Sequence, residues 1–406
     1  MPSVFLPFYY AYAFPEILNK GRINMISASV KARAPLYIAA AAVLSFGVSL
    51  FTQGASAQSG AYDGLIICGQ IIIPSLFPFM VLSTFITRSD ISSILSKIFL
   101  PFAKLFNLPS AAGLPLFLSF IAGYPVGAST ASHLCSKGIL DKDDAFRMMC
   151  FAVCGGPAFI IKAVGQGMLG STKAGILLLA AHISAAVCLG IFSGIISRLK
   201  SRRSGESARQ SNDINFRKRS YFTINKNDKH TAIHKPVADA FVESVHDSCM
   251  AMFPICGCVI IFSCILSIIS SFNPPEQIGS VLGCILEVTT GCFNTAKSGN
   301  LVFISAVLGF GGLSVCCQIF SAASELKINY FKFFAFRIMH AFLSAAIMLL
   351  LQNIFPSSVP VFGSADAAVT AMPSPVSFPA SAALVFMSIV FLCSTSKGRL
   401  ALRRKR

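Results

Sequence analysis

Apolar residues fall along this chain in blocks too long for a soluble fold. A helix needs about 20 mostly apolar residues to cross a bilayer. Eight stretches approach or exceed that length: 35–53, 61–86, 112–135, 174–198, 241–272, 299–323, 330–354 and 379–396. Two further stretches, 145–165 and 277–296, are apolar but interrupted by glycine or polar residues, and read as re-entrant or half-helical segments. Residues 90–107 place Ile91, Ile94, Leu95, Ile98, Phe99, Phe102 and Leu105 at helical spacing. That spacing predicts an amphipathic helix lying at the membrane interface. The predicted class is an all-α polytopic membrane protein of about eight transmembrane helices plus the two half-helical segments.

Composition agrees. Of 406 residues, 54% are apolar and 12% charged, and the mean hydropathy is +0.71. Soluble domains carry roughly twice that charge, ~25%. A soluble hydrolase, a nucleic-acid binder and a secreted disulfide scaffold are thereby excluded. The 14 cysteines sit mostly inside apolar runs, and Cys256-Gly257-Cys258 and Cys316-Cys317 are too tight for a usual zinc site. They read as small packing residues, and no metal site is expected.

Charge orients the chain. The net charge is +17, from 33 Lys+Arg against 16 Asp+Glu. With the N-terminus inside and eight spans alternating, 27 of the basic residues fall on the cytoplasmic side and 6 outside, and loop 355–378 has none. This is the positive-inside bias. Both termini and the basic loop 199–240 are therefore expected in the cytoplasm. The loop separates two membrane halves and reads as a charged linker; no nucleic-acid partner is expected. The first apolar run follows Lys31 and Arg33 and ends Ala55-Ser56-Ala57-Gln58, which has the outline of a secretory signal with a cleavage site. An uncleaved first helix is the reading taken, with cleavage and a start at Met25 as alternatives. Five segments result: 1–60 (signal-anchor-like), 61–198 (first membrane repeat), 199–240 (basic loop), 241–355 (second repeat) and 356–406 (outer loop, last helix and basic tail).

The two halves look alike. Residues 63–79 and 243–257 each carry an early acid and a mid-span proline, Pro74 and Pro254. Downstream, 120–132 and 308–324 are each broken by glycines and followed by small hydroxylated residues, with Gly123 matched to Gly309. The charge argument runs the paired helices in opposite senses. An inverted repeat with broken helices is the architecture of many secondary transporters, whose substrate lies near the midplane where the breaks expose backbone groups.

Four breaks are candidates for that site. Gly123-Tyr124-Pro125-Val126-Gly127 leads into Ala128, Ser129 and Thr130 and would present free N–H groups to an anion. Cys154-Gly155-Gly156-Pro157 is followed by Lys162 and Gln166, four residues apart. Gly309-Phe310-Gly311-Gly312-Leu313-Ser314 has Gln318 one turn on. Glu287-Val288-Thr289-Thr290 sets an acid beside two hydroxyls in an apolar segment. Lys162 and Glu287, with His182 behind them, are intramembrane ionisable residues and functional candidates on that ground. The chain has no helical His-x-x-x-His pair, Walker loop or hydrolase motif. Neither an enzyme nor a cofactor is expected.

The strings GYPVGA at 123–128, CGGPAFIIKAVGQGMLG at 154–170, LEVTTG at 286–291 and FGGLSV at 310–315 resemble sporulation integral membrane proteins of the YlbJ type. These carry nucleoside-recognition (Gate) domains and are distantly similar to concentrative nucleoside transporters. The resemblance covers roughly 60–355. It departs at Gly155-Gly156, where the family tends to carry paired asparagines. It implies a multi-pass protein of the membrane around the developing spore that moves a small organic anion, dipicolinate, and partners including the bilayer and other sporulation membrane proteins. Each carboxylate would meet a half-helix N-terminus, with Lys162 as added positive charge and Tyr124 beside the ring. Two alternatives stand: a transporter or channel for a nucleoside or similar polar metabolite, and a membrane scaffold that moves nothing.

Overall fold

The computed structural model describes residues 36–89, 91–203 and 237–356. The expected span 379–396, most of the basic loop and the basic tail lie outside the described residues. The chain divides into two compact units, Met1–Ala57 and Gln58–Arg406. Every described residue is helical or in a short connection.

In the first unit an apolar helix, α1, covers Leu36–Thr52. A long helix then begins as α2 (Gly54–Ile67), passes through a π turn (Cys68–Ile72) and continues as α3 (Ile73–Arg88). It is followed by α4 (Ile91–Leu105), α5 (Gly113–Ala122), α6 (Tyr124–Ser136), α7 (Lys142–Ala152), a π-helix (Ala158–Met168) and α8 (Thr172–Arg203). After the basic loop come α9 (Val237–Ser271), α10 (Glu276–Leu286), α11 (Val288–Ala296), α12 (Leu301–Phe310), α13 (Gly312–Ala322) and α14 (Tyr330–Ile354).

Among the described residues, five helices are long and apolar enough to cross a membrane: Gly54–Arg88, Thr172–Lys200, Val237–Ser271, Leu301–Ala322 and Tyr330–Ile354. A sixth span results if Leu95–Leu105 and Ser110–Ala122, bent by 113°, are taken together. Five of the eight expected spans are found, 379–396 lies outside the described residues, and the other two are corrected here. The run 112–135 is two short helices meeting at Gly123, and 35–53 yields a helix shorter than the spanning ones. Hydropathy averages over a break, because the residues that make a break possible are themselves small and apolar.

The order of elements occurs twice. Each half has a long helix, a helical pair folded back on itself, an interrupted helix and a second long helix. In the first half these are α2–α3, α5/α6, α7 with the π-helix, and α8; in the second they are α9, α10/α11, α12/α13, and α14. The pairs α5/α6 and α10/α11 pack along each other, whereas α13 leads on from α12. The tightness of α10/α11 is visible at Gly291, where an added Cβ would lie 2.7 Å from the Cα of Cys284. This order pairs the break at Gly123 with that at Glu287, and the break at 153–157 with that at Gly311. The matching of Gly123 to Gly309 on sequence is therefore corrected. Any break selects the same small residues, so local likeness cannot tell a hairpin tip from an interrupted helix.

Matching helices of the two halves meet in the interior: α3 packs on α9, and α8 on α14. Arg88 at the end of α3 pairs with Glu243 (2.6 Å) and Asp247 of α9. These side chains are about two-fifths exposed, so the pair is worth little stability alone. The main apolar core is centred on α7 and α8 and extends through α5, α6, α12 and α13, with Phe106 and Phe151 stacked at 5.0 Å. Arg147 of α7 donates to the Phe106 carbonyl (2.5 Å), the Asn107 carbonyl (2.8 Å) and Asp144 (2.9 Å). It satisfies carbonyls that the end of α4 leaves without helical partners. Asp141 caps α7 by accepting from the N–H of Asp144 (2.7 Å).

Candidate functional site

The four breaks come together. At Gly123 the backbone takes φ +102°, which an L side chain rarely adopts, and Pro125 then opens α6 in its first turn. At Gly311 and Gly312 φ is +84° and +75°, so two successive residues leave the helical region between α12 and α13. At 153–156 the chain runs non-helical between α7 and the π-helix. At Glu287 it is extended, and the Glu287 carboxylate caps α11 by accepting from the N–H of Thr290 (2.7 Å).

Between these breaks lies a small, partly open cleft with an internal volume of about 30 Å³. Its polar lining is Tyr124, Glu287, Thr289 and Gln318, and its apolar walls come from Ile72, Leu76, Phe159, Ile255, Val259, Val288 and Val315, with Pro125 and Gly156 at the breaks. Tyr124 and Pro125 belong to the first turn of α6, Phe159 to that of the π-helix, Val288 and Thr289 to that of α11, and Val315 to that of α13. Four half-helix N-termini thus meet at one apolar cleft. Each carries partial positive charge from N–H groups without helical partners.

The opposite ends are held by a residue the sequence reading missed. Arg337 of α14 is fully buried. Its guanidinium donates to the carbonyls of Phe310 (3.0 Å), Val153 (2.8 Å) and Gly309. These are the C-terminal carbonyls of α12 and α7, where helix dipoles are negative. One cation thus closes the interrupted helices of both halves. It also lies 5.8 Å from the ring centroid of Tyr124, whose hydroxyl donates to the Leu308 carbonyl (2.9 Å). On charge alone Arg337 was counted as a cytoplasmic positive; that is corrected. The signal was there: a basic residue inside a 25-residue apolar helix is a functional candidate on that ground.

Two histidines lie behind the break after α7 and do not line the cleft. The N–H of Gly155 donates to Nε2 of His182 (3.0 Å), which fixes the break at 153–157 against α8. His182 stacks on His340 at 4.5 Å between ring centroids, and Nε2 of His340 lies 3.0 Å from the His182 carbonyl. Both are fully buried, and each stands ten residues beyond the first residue of its helix. They are counterparts of one position in the repeated order.

The remaining sequence candidates fall into two groups. Gly123, Gly155, Gly311, Gly312 and Ser314 are buried at the breaks, and Gln318 donates to the Ser314 hydroxyl (3.4 Å). Gly127 is a close approach: a Cβ there would lie 2.7 Å from the Ala152 carbonyl oxygen. Pro157 and Thr290 are half-buried at helix starts, and Thr130 is half-buried in the middle of α6. Ser129 is exposed and donates to its own helix at Val126. Lys162 and Gln166 are exposed, pair with each other at 3.3 Å and do not line the cleft.

Helical spans, paired breaks and an apolar cleft lined by half-helix ends define an integral membrane protein with multiple spans. Residues 70–172 match the nucleoside-recognition (Gate) family, so the first set of breaks lies within a Gate domain. The chain is a distant homologue of the sporulation integral membrane protein YlbJ of Bacillus subtilis (strain 168), 24% identical over 312 residues that cover 71% of this chain and 76% of the relative. No solved structure matches it.

Proposed function

We propose that this protein is a transporter of a small organic anion in endospore formation, with dipicolinate as the substrate. The observation that carries the reading is the convergence of four half-helix N-termini on one apolar cleft. Oriented N–H groups there would receive carboxylates without a charged side chain. Phe159 and Tyr124 supply apolar and aromatic wall for a flat ring.

Transport fits the repeated order. If each folded-back pair enters and leaves on one side, each half crosses the membrane three times. An odd number turns the second half over relative to the first. The pair α5/α6 then opens to the cytoplasm and α10/α11 to the outside, which moves Lys137 and Lys142 to the cytoplasmic face and strengthens the positive-inside bias. Two opposed re-entrant pairs around a central site suit alternating access.

Glu287 decides how the substrate is handled. Its carboxylate already occupies one of the positive helix ends. An entering anion meets it as a like charge in a poorly screened site. Replacing Glu287 by Gln removes that repulsion and keeps an acceptor for the Thr290 N–H. A neutral nucleoside would instead use Glu287, Thr289 and Gln318 as hydrogen-bond partners; this is the second reading, supported by that polar set and by the Gate match. The test is binding of dipicolinate and of uridine to the purified protein, wild type and Glu287→Gln. Tighter dipicolinate binding in the variant is expected. Tight uridine binding lost on substitution, with no dipicolinate binding, selects the nucleoside. Binding of neither compound leaves the scaffold reading.

A further inference from the structure

The histidine pair and the break at 153–157 create a donor cluster that neither the cleft nor the transport reading uses. Cys154, His182 and His340 each offer a ligand atom within 4.8 Å of the others, and all three residues are fully buried. They come from three elements: the break after α7, α8 and α14. Nδ1 of both histidines is buried with no hydrogen-bond partner among the described residues. Leaving a buried polar atom unpartnered costs free energy, so each such atom calls for an explanation.

The hydrogen bonds assign the tautomers. The His182 carbonyl can only accept, so Nε2 of His340 carries the proton and Nδ1 of His340 holds a free lone pair. At His182, Nε2 accepts from Gly155, so its lone pair is engaged unless that bond is given up. Cys154 donates weakly to the Phe151 carbonyl at 3.5 Å. Two donors are therefore ready, a thiol and an imidazole lone pair, with a second imidazole in reserve.

We propose that Cys154, His340 and His182 form a buried site for a soft monovalent transition-metal ion, Cu(I), which ties the break of the first half to the last helix of the second. Sulfur and imidazole donors without a carboxylate select soft ions. Metal–sulfur and metal–nitrogen bonds are roughly 2.3 and 2.0 Å in zinc sites, so a linear S–metal–N unit spans about 4.3 Å. That span is within the 4.8 Å that bounds the separation of the ligand atoms. Charge then selects the ion. Arg337, bonded to the carbonyl of neighbouring Val153, already places one positive charge here. Cu(I) replaces the thiol proton: the S–H bond breaks, an S–Cu bond forms, the proton leaves, and no electron is transferred. The net charge of the buried cluster is unchanged. Zn(II) would add one unit in a low-dielectric interior. Sequence offered no hint of the cluster, because its members lie far apart in the chain.

The test uses the full chain in detergent, loaded anaerobically with Cu(I) from a competing chelator, for wild type, Cys154→Ser, His340→Gln and His182→Gln. Wild type is expected to retain one more copper per chain than Cys154→Ser, with X-ray absorption showing sulfur and imidazole nitrogen together. His340→Gln loses that copper, His182→Gln weakens its retention, and loaded wild type resists heat better than metal-free protein while Cys154→Ser does not. Equal copper in wild type and Cys154→Ser, or a spectrum with sulfur ligands alone, overturns the site. A parallel titration with Zn(II) that fills the site where Cu(I) does not overturns the charge argument. If His340→Gln fails to insert, Cys154→Ser decides alone, since serine keeps the side-chain size and the bond to Phe151.

Discussion

Replacing Arg337 by methionine tests how the interrupted helices are held. The substitution keeps an unbranched chain in the space but removes the charge and the donors to Phe310, Val153 and Gly309. Hydrogen bonds to a charged group are worth about 1.5–3 kcal/mol each. Summing three such bonds would overstate the loss, because burying a guanidinium itself costs several kcal/mol, which the substitution returns. The three carbonyls also share one partner, so their losses do not add. The expected net loss is on the order of 4 kcal/mol, about a thousandfold in the ratio of folded to unfolded protein. Arg337→Lys should fall between the two, since an ammonium is a point charge that cannot span carbonyls of two helices in a planar fork. The assay is reversible unfolding in mixed micelles at equal protein and detergent. If Arg337→Met unfolds within about 1 kcal/mol of wild type, Arg337 is not the clasp of the two breaks.

Three more outcomes follow from the same geometry. Cysteine labelling in a background without reactive native thiols should place 137–141, loop 204–236 and the tail in the cytoplasm and 355–378 outside; a turn at 137–141 labelled from outside would mean that α5/α6 crosses the membrane. Gly123→Leu, Gly127→Leu and Gly311→Leu should each abolish uptake of the bound substrate while the protein stays in the membrane, Gly127→Leu most severely because its side chain meets backbone at Ala152; wild-type uptake in all three would reduce these glycines to packing residues. Lys162→Ala should change dipicolinate affinity less than twofold, since Lys162 points away from the cleft, and a loss beyond tenfold would place the substrate elsewhere.

Membrane class and the existence of breaks were legible along the chain. Each follows from a local property: a run of apolar residues, or glycines and prolines that a continuous helix does not favour. Tyr124, Pro125, Gly156, Glu287, Thr289 and Gln318 were named as candidates because breaks inside apolar segments are conspicuous, and these line the cleft. Lys162 was named by the same rule and faces away, because which side of a helix meets a cleft depends on its neighbours and, here, on the wider winding of a π-helix. Tertiary structure alone decided the rest. It showed that 112–135 is two helices folded at Gly123, paired the breaks by element order, and brought Arg337 and the two stacked histidines from distant helices onto carbonyls and an amide that the breaks leave exposed. The physical reason is that a break creates unpaired backbone groups wherever it occurs, but the partner that satisfies them is whatever helix packs alongside, and packing is a property of the assembled fold.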